Sequence, residues 1–119
     1  MEQKIPKISD NDIKRIIKRD FPQSELTEIE NILQIYKSKS KEGRNRIYAS
    51  LLKLSDGNLE LLKKLVEKAN NDFRDIIAMS EYPNYTEYAF DDDLPEQKKE
   101  QLINDDWKQY EFWLNKTLK

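Results

Sequence analysis

The stretch that decides the fold runs from Asn58 to Tyr85 and reads NLELLKKLVEKANNDFRDIIAMSEYPNY. Its large apolar residues recur at steps of three and four, and this period continues through the polar Asn-Asn-Asp segment. Pro83 then bars helical geometry for the residue before it. We therefore predict one long core helix over residues 58–81. Its buried face is predicted to consist of Leu62, Leu65, Val66, Ala69, Phe73, Ile76 and Ile77.

Four further amphipathic segments surround this one, and no strand-like alternation is present. Ser9 and Asp12 are spaced as a capping box at the start of the first segment, and Asp93 and Glu96 are spaced in the same way at the last. The sequence predicts an all-α, single-domain bundle of about five helices with a long central helix. The predicted helices cover residues 9–20, 24–37, 43–54, 58–81 and 93–115.

Three more helix ends follow from local chemistry. Ser24 is a suitable N-cap for the second helix. Gly57 suits the left-handed position that ends the third helix, and Asp56 or Asn58 is placed to cap the fourth. Because this turn is so short, the third and fourth helices are expected to be antiparallel neighbours.

Composition excludes several kinds of chemistry. A chain of 119 residues is large enough for one domain with its own core. It contains neither cysteine nor histidine, which excludes disulfides, thiolate nucleophiles and zinc–thiolate sites and removes the commonest general base. Two glycines are too few for a glycine-rich phosphate loop. We predict no cofactor and no metal, and the composition favours a binding role over catalysis.

Charge is distributed unevenly along the chain. Residues 1–68 carry 15 Lys and Arg against 11 Asp and Glu, whereas residues 69–119 carry 6 against 12. This asymmetry is compatible with a partner recognised by charge, or with two halves that attract each other in the fold. The basic stretch 37–46 is better explained as a solvated connector than as a nucleic-acid site, because no aromatic residue is interleaved with its cations. No apolar leader or membrane-spanning run is visible, so a cytoplasmic location is expected.

The candidate site lies where the predicted central helix ends and meets the last helix. Arg74 is predicted to pair with Asp105 or Asp106 and so to hold the two helices together. In the alternative, Arg74 and the nearby aromatic rings line a pocket for an anionic or planar ligand. Phe112 lies off the core stripe and is expected to be exposed. The candidate contact residues are Arg74, Glu81, Tyr82, Tyr85, Tyr88, Trp107, Tyr110 and Phe112.

Four short motifs resemble those of a group of small bacterial helical proteins to which no activity is attached. They are the turn from Leu52 to Gly57, the DFRDI segment from Asp72 to Ile76, the EYPNY exit from Glu81 to Tyr85, and DWKQYEFWL from Asp106 to Leu114. The similarity covers residues 46–114 and leaves the first two helices outside it. It implies a cytoplasmic bacterial helical domain.

Two functional hypotheses follow from these features. The first is a non-catalytic protein-binding module that occludes its partner, as immunity proteins and antitoxins do. Small size, an acidic C-terminal half and abundant tyrosine favour it. The second is a small-ligand-binding or enzymatic domain that uses the region rich in Tyr and Trp. Binding of nucleic acid through residues 14–19 and 37–46 is less favoured, since the sequence pI is near 5.3.

Overall fold

The computed structural model of the chain describes residues 6–36, 41–87 and 93–116, and every regular element in these ranges is helical. The all-α class is confirmed, although the described ranges contain seven α-helices rather than about five. A 3₁₀ turn, Gln23–Glu25, precedes the second of them. The helices are α1 (Asp10–Asp20), α2 (Leu26–Gln34), α3 (Lys41–Ser55), α4 (Leu59–Asn71), α5 (Phe73–Glu81), α6 (Pro83–Glu87) and α7 (Glu96–Asn115).

The predicted long helix over residues 58–81 is wrong, because the chain breaks at Asp72. Asp72 adopts φ −156° and ψ 99°, and its carboxylate accepts a hydrogen bond from the amide of Arg74. An aspartate that caps the next helix competes with continuation of the preceding one. Phe73 is therefore turned outward and is 44% exposed, whereas Ile76 and Ile77 are buried as predicted.

The caps are confirmed at the start of α1 and wrong at two other helices. Ser9 Oγ accepts from the Asp12 amide at 3.1 Å, and Asp12 Oδ2 accepts from the Ser9 amide at 3.0 Å. Ser24 is not an N-cap, because it lies within the 3₁₀ turn that leads into α2. Asp93 does not cap α7 either. Pro95 occupies that N-cap position, where its fixed φ of −60° fits an extended backbone.

The turn between α3 and α4 has the predicted chemistry. Asp56 and Gly57 both adopt positive φ, 48° and 80°, and Asn58 Oδ1 caps α4 by accepting from the Leu61 amide at 2.9 Å. A side-chain carbon on Gly57 would lie 2.9 Å from the backbone carbonyl oxygen of Asp20. The turn is thus packed against the end of α1, and glycine is required there for both its conformation and its small size.

The centre of the core is formed by α3 rather than by the 58–81 segment. α3 packs against α1, α4 and α5. Its residues Ala49, Ser50, Leu51 and Leu52 are completely buried. α7 packs against α5 and α6 at the periphery. Within the described ranges, no helix is long and apolar enough to cross a membrane.

Candidate functional site

A buried ion pair joins α3 to the end of α5. Arg46 donates from Nε and Nη2 to the two carboxylate oxygens of Glu81, each at 2.7 Å. The Glu81 side chain is 5% exposed and that of Arg46 is 25% exposed. A carboxylate at a helix C-terminus opposes the helix dipole, so Glu81 requires a cation at this position. The hydrogen bond that Arg46 donates to Glu81 is the main cause of the raised pKa of Arg46.

α7 contributes two polar side chains to the same region. Asp106, which is 1% exposed, accepts hydrogen bonds from the backbone amides of Asn84 and Tyr85 at 3.1 and 2.8 Å. These amides belong to the first turn of α6, so a residue of α7 caps α6 from outside. Gln109 Nε2 donates to the carbonyl oxygen of Ser80 at 3.1 Å, near the end of α5. We name this set of contacts between α3, α5, α6 and α7 the polar junction.

Tyr110 is the aromatic residue of the polar junction. It is 1% exposed, its hydroxyl has no hydrogen-bond partner among the described residues, and burial raises its pKa. The buried hydroxyls of Ser50 and Ser80 are likewise without a hydrogen-bond partner there. The Tyr110 ring lies 5.5 Å from that of Trp113. The polar junction is therefore a packed contact between helices, and the three buried hydroxyl groups are still able to form hydrogen bonds.

The C-terminal end of α7 is fixed to α1 by two arginines. Arg15 Nη2 donates to the carbonyl oxygen of Leu114 at 2.8 Å, and Arg19 Nη1 donates to that of Trp113 at 2.7 Å. The Arg19 guanidinium also lies 5.2 Å from the centre of the Trp113 ring. These cations satisfy carbonyl groups that a helix end leaves unpaired. Together with the polar junction, they determine which side of α7 faces outward.

The structure brings part of the predicted site together. Glu81 and Tyr110 are buried in the polar junction. Tyr82 and Tyr85 are half-buried beside it, with ring centroids 6.4 Å apart in an edge-to-face arrangement. Trp107 is half-buried on α7, and Tyr88 lies outside the described residues.

Phe112 and Arg74 lie away from this junction. Phe112 is exposed as predicted, with 76% of its surface accessible. The predicted pairing of Arg74 with Asp105 or Asp106 is wrong. Arg74 lies in the first turn of α5 and pairs with Asp72, Nε to Oδ1 at 3.1 Å, while its side chain is 80% exposed.

Sequence reasoning missed the two residues that organise the junction. Arg46 belongs to the basic stretch that is predicted to be a solvated connector, and Asp105 or Asp106 is predicted to pair with Arg74. A signal was available for Arg46, because Ser50 and Lys53 follow it at helical spacing and mark a polar stripe between apolar ones. For Asp106, the capped amides are more than 20 residues away, and no local pattern indicates such a contact.

The described residues contain no group of three or more carboxylates arranged to hold a metal ion. Comparison of the chain with protein-family models, with curated proteins and with solved structures finds no match. The resemblance to small bacterial helical proteins thus stays a prediction, and the geometry alone carries the functional argument.

Proposed function

We propose that this protein is a cytoplasmic, non-catalytic protein-binding module that acts by covering a surface of its partner, as immunity proteins and antitoxins do. The exposure of Phe112 is the observation that carries the proposal. This residue lies on α7 with 76% of its surface exposed, although the structure has a core in which other large aromatic side chains are buried. Aromatic side chains dominate the binding energy of protein interfaces when a partner buries them.

The surroundings of Phe112 resemble the polar rim of an interface. Lys108, Asp105 and Gln101 lie one, two and three turns before it on the same side of α7, and all three are exposed. This gives a stripe along α7 in which one aromatic residue is bordered by charged and amide side chains. Interfaces combine a small apolar centre with a hydrated polar border in the same way. We name this stripe the α7 outer face.

The geometry gives less support to a ligand site in the region rich in Tyr and Trp. Both carboxylate oxygens of Glu81 accept hydrogen bonds from Arg46, and those of Asp106 accept hydrogen bonds from Asn84 and Tyr85. The two carboxylates that would orient a ligand are thus engaged in holding helices together. The same contacts disfavour a catalytic use of these carboxylates, which would have to exchange protons with a substrate.

Affinity capture from cells of the source organism tests the proposal with three tagged proteins. These are the unchanged chain, Phe112→Ala, and Phe73→Ala as a control with the same substitution at another exposed site. The unchanged chain and the control should recover one protein in stoichiometric amount, and Phe112→Ala should lose it. A photo-crosslinking amino acid at position 112, but not at position 73, should then attach to that partner.

Circular dichroism and thermal melting establish that both variants are folded before capture is compared. Equal recovery by Phe112→Ala and the unchanged chain would contradict a role for the α7 outer face. Recovery of no stoichiometric protein by any of the three would contradict the binding function itself. The partner, once purified, should lose its own activity when the unchanged chain is added, since occlusion is the proposed mode of action.

A further inference from the structure

A cavity of about 260 Å³ lies between α1, α2 and the start of α3, on a different part of the molecule from the α7 outer face. The apolar residues that line it are Ile13, Ile17 and Leu33, all of which are buried. A neighbouring cavity of about 400 Å³ shares Ile17 with it and continues along α1 towards Phe21 and Leu26. The two form one groove with an apolar base.

Arg44 is positioned at the edge of the first cavity with part of its hydrogen-bonding capacity unused. Its guanidinium lies 5.7 Å from the centre of the Tyr48 ring, and its Nη2 lies 3.7 Å from Asp10 Oδ1. Its Nε is shielded from solvent and has no hydrogen-bond partner among the described residues. The Nη2–Oδ1 distance is longer than a hydrogen bond and 37% of the Arg44 side chain is exposed, so its terminal nitrogens can donate to an acceptor in the cavity.

The charges that line the first cavity balance each other, and Lys18 adds a further cation at the second. Lys14 and Glu30 line both cavities, and neither forms an ion pair within the ranges that the structure describes. Arg44 and Asp10 supply a second cation and a second anion at the first cavity. A simple anion would meet two carboxylates there, and a simple cation would meet Lys14 and Arg44. A ligand that carries both signs next to an apolar group matches this surface better.

We propose that this groove binds a zwitterion with a large apolar side chain, which is the chemistry of an apolar α-amino acid. Its carboxylate accepts hydrogen bonds from the exposed part of the Arg44 guanidinium and from the Lys14 ammonium group. Its ammonium group pairs with Glu30. Its side chain lies on Ile17 and extends towards Phe21, where burial of apolar surface adds affinity. Asp10 keeps its ion pair with Arg44 and does not contact the ligand.

Titration of the isotope-labelled chain with phenylalanine, followed through backbone amide signals, tests this site. We expect saturable shifts confined to α1, α2 and the start of α3. Two derivatives separate the charges, since N-acetylphenylalanine lacks the ammonium group and phenylalaninamide lacks the carboxylate. N-acetylphenylalanine should bind about tenfold more weakly, the loss expected for one charge-assisted contact, and phenylalaninamide, which loses two, about a hundredfold more weakly. Glycine, which lacks the apolar side chain, should produce no saturable shift.

Four variants assign the contacts. Arg44→Gln and Lys14→Gln should each weaken phenylalanine binding about tenfold. Glu30→Gln should weaken phenylalanine by a similar factor while leaving N-acetylphenylalanine unchanged, because that ligand has no charge for Glu30 to recognise. Arg74→Gln is the matched control, since it removes another arginine that pairs with an aspartate, and it should bind as the unchanged chain does.

The absence of saturable shifts with phenylalanine would overturn the proposal. Equal binding of phenylalanine and its two derivatives would also overturn it, since apolar contact alone would then explain the affinity. Lys14 is exposed, so Lys14→Gln is expected to fold. This variant therefore still tests recognition of the ligand carboxylate if Arg44→Gln does not fold.

Discussion

Arg46 of α3 binds both carboxylate oxygens of Glu81 of α5, with two nitrogen–oxygen distances of 2.7 Å. This bidentate geometry is available to arginine and not to lysine. Because the Glu81 side chain is 5% exposed, its charge has almost no access to water and depends on Arg46. The pair holds the C-terminal end of α5 against the helix at the centre of the core.

Replacement of Arg46 by alanine is expected to destabilise the fold by about 2–3 kcal/mol. Removal of one partner of a buried pair leaves the other charge uncompensated, which costs about 3–5 kcal/mol when both are fully buried. The quarter exposure of the Arg46 side chain reduces this value. Arg46→Lys keeps the charge but loses the bidentate geometry, so about half of the loss of stability should remain. Urea unfolding at neutral pH measures both variants.

Arg74→Ala provides the comparison for the Arg46 variants. Its pairing with Asp72 is mostly exposed to solvent, so the urea midpoint should not change. If Arg46→Ala and Arg74→Ala shifted the midpoint equally, the structural role assigned to the Arg46–Glu81 pair would be wrong.

Asp106→Ala is expected to release the start of α6 and to cost about 2 kcal/mol, since it removes a buried acceptor from two backbone amides. Asn84 and Tyr85 carry these amides, and their hydrogen exchange should accelerate more than that of α4 amides. Asp106→Asn keeps one acceptor oxygen and should lose less protection. Unchanged exchange at both amides in Asp106→Ala would contradict the capping role.

The helical period correctly predicted which side of the 58–81 segment is buried at Ile76 and Ile77, yet it missed the break at Asp72. Both α4 and α5 pack on α3, so their apolar residues stay in phase although the chain leaves helical geometry between them. Periodicity reports burial and does not report the direction of a helix axis. The local chemistry of Asp72 is that of an N-cap, and it determined the backbone there.

The candidate site was predictable only where its residues are close together in the sequence. Glu81, Tyr82 and Tyr85 lie next to a proline that ends a helix, so their grouping is local and visible in the sequence. The partners of Glu81 and of the α6 amides are Arg46 and Asp106, which approach from distant helices. The sequence pattern predicts a helix-pairing role for Arg74, whereas tertiary packing brings Arg46 to the buried carboxylate.

Gly57→Ala is expected to destabilise the fold by about 2 kcal/mol or more. A non-glycine residue in left-handed geometry costs about 1–2 kcal/mol, and the new carbon would also lie 2.9 Å from the Asp20 carbonyl oxygen. Asp56→Gly is the control in the same turn, since glycine adopts its φ of 48° without steric cost. Thermal unfolding should show a clear loss for Gly57→Ala and little change for Asp56→Gly. Equal melting temperatures would contradict the close packing of this turn on α1.

Tyr110 should make the stability of the protein fall at alkaline pH. Burial raises the pKa of its hydroxyl above its ordinary value of 10.0. Above pH 10 the unfolded chain therefore loses this proton while the folded chain keeps it. The unfolded state then binds fewer protons, so the free energy of unfolding decreases as pH rises, by about 1.4 kcal/mol per pH unit for one proton.

Tyr110→Phe removes this contribution while preserving the ring. Because the hydroxyl has no hydrogen-bond partner among the described residues, the variant should be at least as stable as the unchanged chain at pH 7. Urea unfolding of both proteins between pH 8 and pH 12 should give a shallower decline for the variant, by up to about 1.4 kcal/mol per pH unit. Tyr36, Tyr48 and Tyr82, whose pKa values burial also raises, account for a decline that remains in both. Parallel pH profiles for the two proteins would show that the Tyr110 hydroxyl reaches water in the folded state.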